Sequence, residues 1–239
     1  MKDNIVVLMD PTQREEELKI KLERKKLSHI KEDPNSAYCP ISLTATPEEI
    51  KGIVSGRQNL LMNIVLGGAE ITGYDPNSAP FSPDKDLTTG PDKVYNVDLG
   101  KIVGSRFFVG HDFLPSRGFG TESEIATEYI RLPVVLMDKN IRVSRMQPDN
   151  TIYLQYGNFN DEALHFIPVF SMLKNYDLGM GFSNSIPALL GFEKDSNKIV
   201  DLRQEVYRAF PNLEYKFDGK KSIVEMQVKN PEIFYENNK

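Results

Sequence analysis

Two short apolar segments constrain the fold of this sequence most. Each is typical of a β-strand, and they are separated by about the length of one helix. Residues 106–110 read RFFVG and residues 132–137 read LPVVLM, and residues 121–130 between them are predicted to be helical. The second run is almost continuously apolar, as is typical of strands that are covered on both sheet faces. Strands joined by helices in this way predict a mostly parallel sheet with helices on both faces.

The same alternation of strand and helix fills the stretch before these two strands. Residues 46–49 read TPEE, which is typical of a helix start because threonine caps, proline fits the first helical position and acids favour the first turn. The two glycines at 67–68 are expected to end that helix. The predicted elements, in order, are a strand at 37–43, a helix from 47 to about 65, a strand at 69–74, a loop at 77–91 and a helix at 92–104.

The sequence divides into three parts. Residues 1–36 are expected to form an N-terminal strand/helix leader, with a strand at 4–9, a helix at about 13–30 and a boundary turn at 33–36 (DPNS). Residues 37–147 are the predicted α/β core. Residues 148–239 are expected to add a C-terminal α+β extension of helices and a hairpin: helices at 162–175 and 200–210, and strands at 213–217 and 222–228 around an Asp-Gly turn.

Composition limits the function classes. The chain has 239 residues, 40% of them hydrophobic, and can bury a core of ordinary size. Its formal net charge of -5 argues against a general nucleic-acid binder. Cys39 is the single cysteine, which excludes an internal disulfide and suits a reducing compartment. No secretory signal and no apolar run of about 20 residues is found, so we expect a cytoplasmic protein with no membrane partner.

The most informative candidate for a functional loop lies at residues 111–124, which read HDFLPSRGFGTESE. In open parallel sheets ligands bind beyond the carboxyl ends of the strands, and this segment follows one of them. Gly118 and Gly120 allow a ligand to approach the backbone closely. Glu124, inside the following helix, could attack a sugar carbon or act as an acid/base. The alternative is that Glu122 or Glu124 only complements the helix dipole.

Three segments together resemble the nucleoside 2-deoxyribosyltransferase family. They are VDLGKIVGSRFFVGHD at 97–112, GTESEIA at 120–126 and LPVV at 132–135, which follow that family's order of D-L-x-x-I, then G-T-x-x-E opening a helix, then a Pro-Val strand. Tyr38 and the GYDP at 73–76 extend the resemblance, which covers roughly residues 37–147. It implies a Rossmann-like (flavodoxin-like), mostly parallel sheet with helices on both faces.

The resemblance also implies a covalent mechanism. Glu124 would attack the anomeric carbon of a nucleoside and hold a glycosyl ester until another base or water displaces it, since an anion stabilises an oxocarbenium-like transition state. Asp98 would handle the proton of the leaving base, and Tyr38 would hold Glu124. Without the resemblance, Asp98 is interpreted as a charge that complements a helix N-terminus, and Tyr38 as a residue that packs within a strand. Family members share active sites between subunits, so a homo-oligomer is expected.

Substrate contacts are expected from the loop and from one residue after the core strands. The candidates are Asp112, Ser116, Gly118, Gly120, Thr121 and, donated by a neighbouring subunit, Asn140. His111 also sits at a strand end and could face the site, but a loop histidine without a role is the simpler interpretation. No P-loop, CxxC, HExxH or GxSxG motif is present, so neither a cofactor nor a metal is expected.

One departure from the family pattern opens an alternative substrate class. Transferases often carry an aspartate where this chain has Gly118, preceded here by Ser116 and Arg117. Such a loop is chemically suited to phosphate, although Arg117 could equally be a solvated loop residue. The open hypotheses are therefore a deoxyribosyltransferase-like enzyme, a 5′-monophosphate nucleotide N-glycosidase that uses water, and a non-catalytic nucleotide-binding module.

Overall fold

A computed structural model of the chain describes residues 30, 32–42, 46–77, 91–111, 116–130, 132–138, 151–176 and 196–213. The strands are β1 (Asp33–Tyr38), β2 (Thr72–Tyr74), β3 (Ser105–His111), β4 (Val134–Asp138) and β5 (Thr151–Gln155). The helices are α1 (Glu48–Leu60), α2 (Pro91–Val103), α3 (Arg117–Glu124), α4 (Phe159–Asn175) and α5 (Ser196–Ala209). Two π-helical segments, Leu61–Leu66 and Ile125–Tyr129, continue α1 and α3, and a 3-10 turn at Pro211–Leu213 follows α5.

The strands form one five-stranded sheet in the order β2-β1-β3-β4-β5, and each neighbouring pair is parallel. The fold class predicted from the sequence, a Rossmann-like parallel sheet with helices on both faces, is therefore confirmed. The helices cover both faces because alternate strand residues point to opposite sides. On one face α1, α4 and α5 pack against side chains that include Phe107 and Val109. On the other face α2 and α3 pack against side chains that include Tyr38 and Phe108.

The sheet extends beyond residue 147, where the predicted core ended. β5 pairs with β4 from Val134↔Thr151 to Asp138↔Gln155, and α4 then packs on the sheet. No strand was predicted at β5, although its sequence, TIYLQ, is rich in β-branched and aromatic residues that favour strands. The predicted helices at 162–175 and 200–210 are confirmed as α4 and α5, each starting slightly earlier.

The first strand lies earlier than predicted, at Asp33–Tyr38 instead of 37–43, so the predicted turn at 33–36 is wrong. Asp33 N–H donates to Gly104 O at 2.8 Å, and pairing with β3 is irregular between Asp33 and Ala37. This irregularity accommodates Pro34, which has no N–H for the ladder. Pro40 similarly ends the strand pairing soon after Tyr38.

The prediction that the two glycines end helix α1 is also wrong. Helical turns continue through Gly68, and the left-handed residue is Glu70, at φ 56°. A Cβ on Gly68 would lie 2.7 Å from Ile167 of α4, so this glycine serves the close approach of two helices. The following strand is consequently shorter than predicted, Thr72–Tyr74 instead of 69–74.

Several predicted features lie outside the described residues. They are the leader elements at 4–9 and 13–29, most of the loop at 77–91, the hairpin beyond residue 213, Asp112 and Asn140.

Candidate functional site

The strand order places a candidate site at the carboxyl ends of β1 and β3. From β1 the chain passes to α1 on one face of the sheet, and from β3 it passes to α3 on the opposite face. Open α/β sheets bind ligands where the connections from two neighbouring strands go to opposite faces, which here is at the carboxyl ends of β1 and β3. The strand ends bring Tyr38 from β1, Tyr74 from β2 and His111 from β3 to this edge.

Tyr38 and Glu122 form the central contact of this site. The Tyr38 hydroxyl donates a hydrogen bond of 3.1 Å to Oε1 of Glu122, which lies on α3. The Tyr38 ring is fully buried, with its centroid 5.9 Å from that of Tyr74 and 5.8 Å from that of Phe108. Packing on both sides fixes the ring, so the hydroxyl is held at the carboxylate.

The environment of Glu122 favours its protonated form. Burial, followed by the negative charge of Asp98 on α2, raises the pKa of Glu122 to about 7, while the hydrogen bond from Tyr38 acts in the lowering direction. Burial and the charges of Glu122 and Asp98 raise the pKa of Tyr38, which therefore stays a protonated donor. A carboxylate that titrates near neutrality at the carboxyl ends of the strands is typical of an acid, base or nucleophile.

Glu124, the nucleophile predicted from the sequence, is exposed. It lies two positions after Glu122 on α3, which is about 200° around the helix axis. The predicted support of Glu124 by Tyr38 is therefore wrong, since Tyr38 bonds to Glu122. Asp98 is half-buried within α2 and acts electrostatically on both Tyr38 and Glu122, so the structure does bring Tyr38 and Asp98 together.

The helix α3 begins at Arg117, earlier than the predicted Thr121. Ser116 is its N-cap and accepts a hydrogen bond of 3.2 Å from Phe119 N–H. Gly118 and Gly120, predicted to lie in a loop, are exposed residues of the first helical turns. The Thr121 hydroxyl is also exposed and donates to the Arg117 carbonyl at 3.0 Å. Glu122 lies on the same helix face as Phe119, Ile125 and Ala126, which pack towards the sheet, and this face turns Glu122, and not Glu124, inward.

Sequence reasoning did not assign functional roles to Glu122, Tyr74 and Lys101. Lys101 of α2 places its Nζ 4.8 Å from the centroid of the Tyr74 ring, a cation–π contact beside the Tyr38–Glu122 pair. Burial, then Asp98 and Asp75, raise the pKa of Tyr74 to about 12. The signal that would have found Glu122 is the spacing of Phe119, Ile125 and Ala126, which lie three before, three after and four after it and form the apolar face of this helix.

His111 is a strand residue and not a loop residue. It is buried on the face covered by α1 and α4, where Nδ1 lies 3.3 Å from Oε1 of Gln58 and the ring packs edge-on against Phe159 at 5.1 Å. Gln58 Nε2 in turn donates to the Cys39 carbonyl at 2.6 Å. Burial, and then the charge of Arg57, lower the pKa of His111 to about 3, so the ring is neutral at physiological pH. These contacts tie the end of β1 to the end of β3.

Comparison with protein-family models, curated proteins and solved structures found no match for this chain. Within the described ranges, no His, Cys, Asp and Glu side chains gather in the groups of three that hold metal ions. In the same part of the chain, every helix is too short or too polar to cross a membrane.

Proposed function

We propose that this protein cleaves the N-glycosidic bond of a nucleoside or nucleotide with retention, and that the attacking carboxylate is Glu122. The observation that carries the proposal is the Glu122 side chain itself. It is largely buried, receives a 3.1 Å hydrogen bond from a rigid tyrosine, and burial raises its pKa to about 7. The resemblance of residues 97–135 to the deoxyribosyltransferase family supplies the reaction class.

The geometry suits displacement at a sugar carbon. Tyr38 engages Oε1, so the other oxygen of Glu122 attacks the anomeric carbon while the bond to the base nitrogen breaks. The bonding electrons leave with the base, and an ester joins the sugar to Glu122. A second base, or water, then attacks the same carbon from the opposite side and releases the carboxylate. The carboxylate of Glu122, which attacks in the first step and leaves in the second, stabilises the cationic character of the sugar in both steps.

Asp98 is the candidate proton donor for the leaving base. It lies on α2, on the same face of the sheet, close enough to Glu122 and Tyr38 to raise both of their pKa values. A base leaves more readily when a nearby acid protonates it, and the same group can accept the proton of the incoming base. Tyr38 is a positioning residue in this scheme, because it touches Glu122 and remains protonated.

The start of α3 favours a 5′-monophosphate as an alternative substrate. Arg117 and Gly118 are exposed there, at the N-terminus of the helix that carries Glu122. Backbone N–H groups and a guanidinium at such a position suit a phosphate group. Water would then be the acceptor, and the protein would be a nucleotide N-glycosidase.

The test is chromatography of deoxynucleosides and their 5′-monophosphates, incubated with the protein with and without a second free base. A new nucleoside that appears only with the added base establishes transfer, and free base released from monophosphates alone establishes hydrolysis. Glu122→Gln should lower turnover by at least about 10³-fold, while Glu124→Gln should retain it within several-fold. Turnover that survives Glu122→Gln but is lost in Glu124→Gln would overturn the assignment, and no product from the wild type would favour a binding module.

The pH profile gives an independent check on the role of Glu122. A nucleophilic carboxylate must be ionised, so the rate should rise with pH through about 7, where Glu122 titrates. A rate that falls over the same interval would assign Glu122 to proton donation.

A further inference from the structure

The carboxyl ends of β1 and β3 are bridged by a hydrogen-bonded chain on the face of the sheet opposite to Glu122. The chain runs from the Cys39 carbonyl to Gln58 Nε2 at 2.6 Å, and from Gln58 Oε1 to His111 Nδ1 at 3.3 Å. Cys39 is the residue after Tyr38, and His111 ends the strand that leads into α3. The bridge therefore joins the two segments that carry the partners of the Tyr38–Glu122 hydrogen bond.

The donor and acceptor groups of Cys39, Gln58 and His111 fix the direction of each hydrogen bond in this bridge. The Cys39 carbonyl can only accept, so the amide nitrogen of Gln58 faces it and the amide oxygen faces His111. That oxygen also accepts, so His111 must carry its proton on Nδ1. Nε2 is then the bare ring nitrogen, and among the described residues it has no hydrogen-bond partner. A neutral histidine in this single tautomer is a fixed donor and not a titrating switch.

The surroundings make the bridge rigid. Gln58, Cys39 and His111 are all buried, and the His111 ring packs edge-on against Phe159. The Cys39 N–H donates to the Tyr74 carbonyl at 2.8 Å, so both backbone groups of Cys39 are held. Buried hydrogen-bond chains of this kind restrict a site to one arrangement when every link is made.

We propose that Gln58 and His111 are positioning residues that set the distance between Tyr38 and Glu122 by locking the ends of β1 and β3 together. The proposal rests on the proposed function, in which that hydrogen bond prepares the attacking carboxylate. The bridge acts through the backbone: Gln58 holds the peptide next to Tyr38, and His111 holds the start of the connection to α3. Without it the Tyr38 hydroxyl moves away from Glu122, and the carboxylate loses the contact that favours its ionised form.

The test compares two substitutions of one residue. His111→Phe keeps a ring against Phe159 and removes the donor, whereas His111→Asn places an amide N–H where Nδ1 was. The readout is the pKa of the Glu122 carboxyl, followed by carbon-13 NMR and assigned by its disappearance in Glu122→Gln. We expect His111→Phe to raise this pKa by about 0.5–1 and His111→Asn to restore most of the wild-type value.

A double-mutant cycle separates positioning from a general loss of structure. In a Tyr38→Phe background the hydrogen bond to Glu122 is already absent, so adding His111→Phe should leave the pKa of Glu122 unchanged. Val206→Ala, a buried change on α5, is the matched control and should leave the pKa of Glu122 at its wild-type value. If His111→Phe fails to fold, Gln58→Met removes both links with little change of volume and is tested in the same way.

Two results would overturn the proposal. The first is a pKa of Glu122 that stays within about 0.2 of the wild-type value in the variant without the bridge. The second is an equal change in the presence and absence of the Tyr38 hydroxyl. The titration needs no substrate, so it gives an answer even if the chromatographic test finds no turnover. Its failure is therefore distinguishable from a failure of the proposed function.

Discussion

Replacing Glu122 with glutamine should change how the stability of the protein depends on pH. The pKa of this carboxyl is raised from 4.5 to about 7, so ionisation opposes folding. Each pKa unit corresponds to about 1.4 kcal/mol, which gives a cost of roughly 3 kcal/mol once the group is ionised in both states. The stabilising effect of the protonated form is present below about pH 4.5 and is lost as the pH rises through about 7.

Glutamine cannot ionise, and its amide oxygen can still accept the hydrogen bond from Tyr38. The free energy of unfolding of Glu122→Gln should match the wild type at pH 4.5 within about 0.5 kcal/mol and exceed it by roughly 3 kcal/mol at pH 8. Urea unfolding at several pH values, followed by circular dichroism, measures this difference. Glu124→Gln is the control, because an exposed substitution should change stability by less than about 0.5 kcal/mol. A difference for Glu122→Gln that does not grow with pH would refute the reasoning.

Two further changes test how the site is supported. Gly110→Ala would place a Cβ 2.7 Å from the Phe119 ring, so it should displace the start of α3. We expect it to destabilise the fold by about 1–3 kcal/mol and to slow turnover. Urea unfolding that matches the wild type would contradict this. Arg106→Met removes the buried partner of Glu32, at 3.5 Å, and should lower the free energy of unfolding by about 3–5 kcal/mol. Adding Glu32→Gln should recover much of that loss, and a double variant no more stable than Arg106→Met would argue against a paired buried charge.

The sheet was predictable because its central strands are nearly continuous apolar runs. RFFVG and LPVVLM became β3 and β4, and helices lie between the strands, although α3 starts earlier than predicted. β5 was not predicted, although its residues favour a strand and it is as long as β4. Its position depends on pairing with β4 and on the packing of α4, which are long-range contacts that local pattern does not encode.

The candidate site was predictable in its location but not in its central residue. The sequence pointed to the segment after β3 and to Tyr38 and Asp98, which the structure brings together. Which carboxylate of TESE faces the sheet depends on which face of α3 is buried, and the apolar residues Ile125 and Ala126 place Glu122 on that face. Ser116 was predicted to contact substrate, and the structure shows that its side chain also caps α3.

The hydrogen bonds between Gln58, Cys39 and His111 could not be predicted from the sequence for another reason. Its members are separated by many residues along the chain, and each is unremarkable alone. Gln58 looks like an ordinary polar residue of an amphipathic helix, and only the fold shows that it is buried between two strand ends.

The most direct test of the account is to locate the covalent intermediate. The protein is mixed with a substrate found by chromatography, quenched in acid within the first turnover and digested with trypsin. The peptide at 118–131 contains both Glu122 and Glu124, and fragmentation in the mass spectrometer distinguishes them. The account predicts a glycosyl ester on Glu122. An ester on Glu124, or turnover with no sugar attached to this peptide, would contradict it.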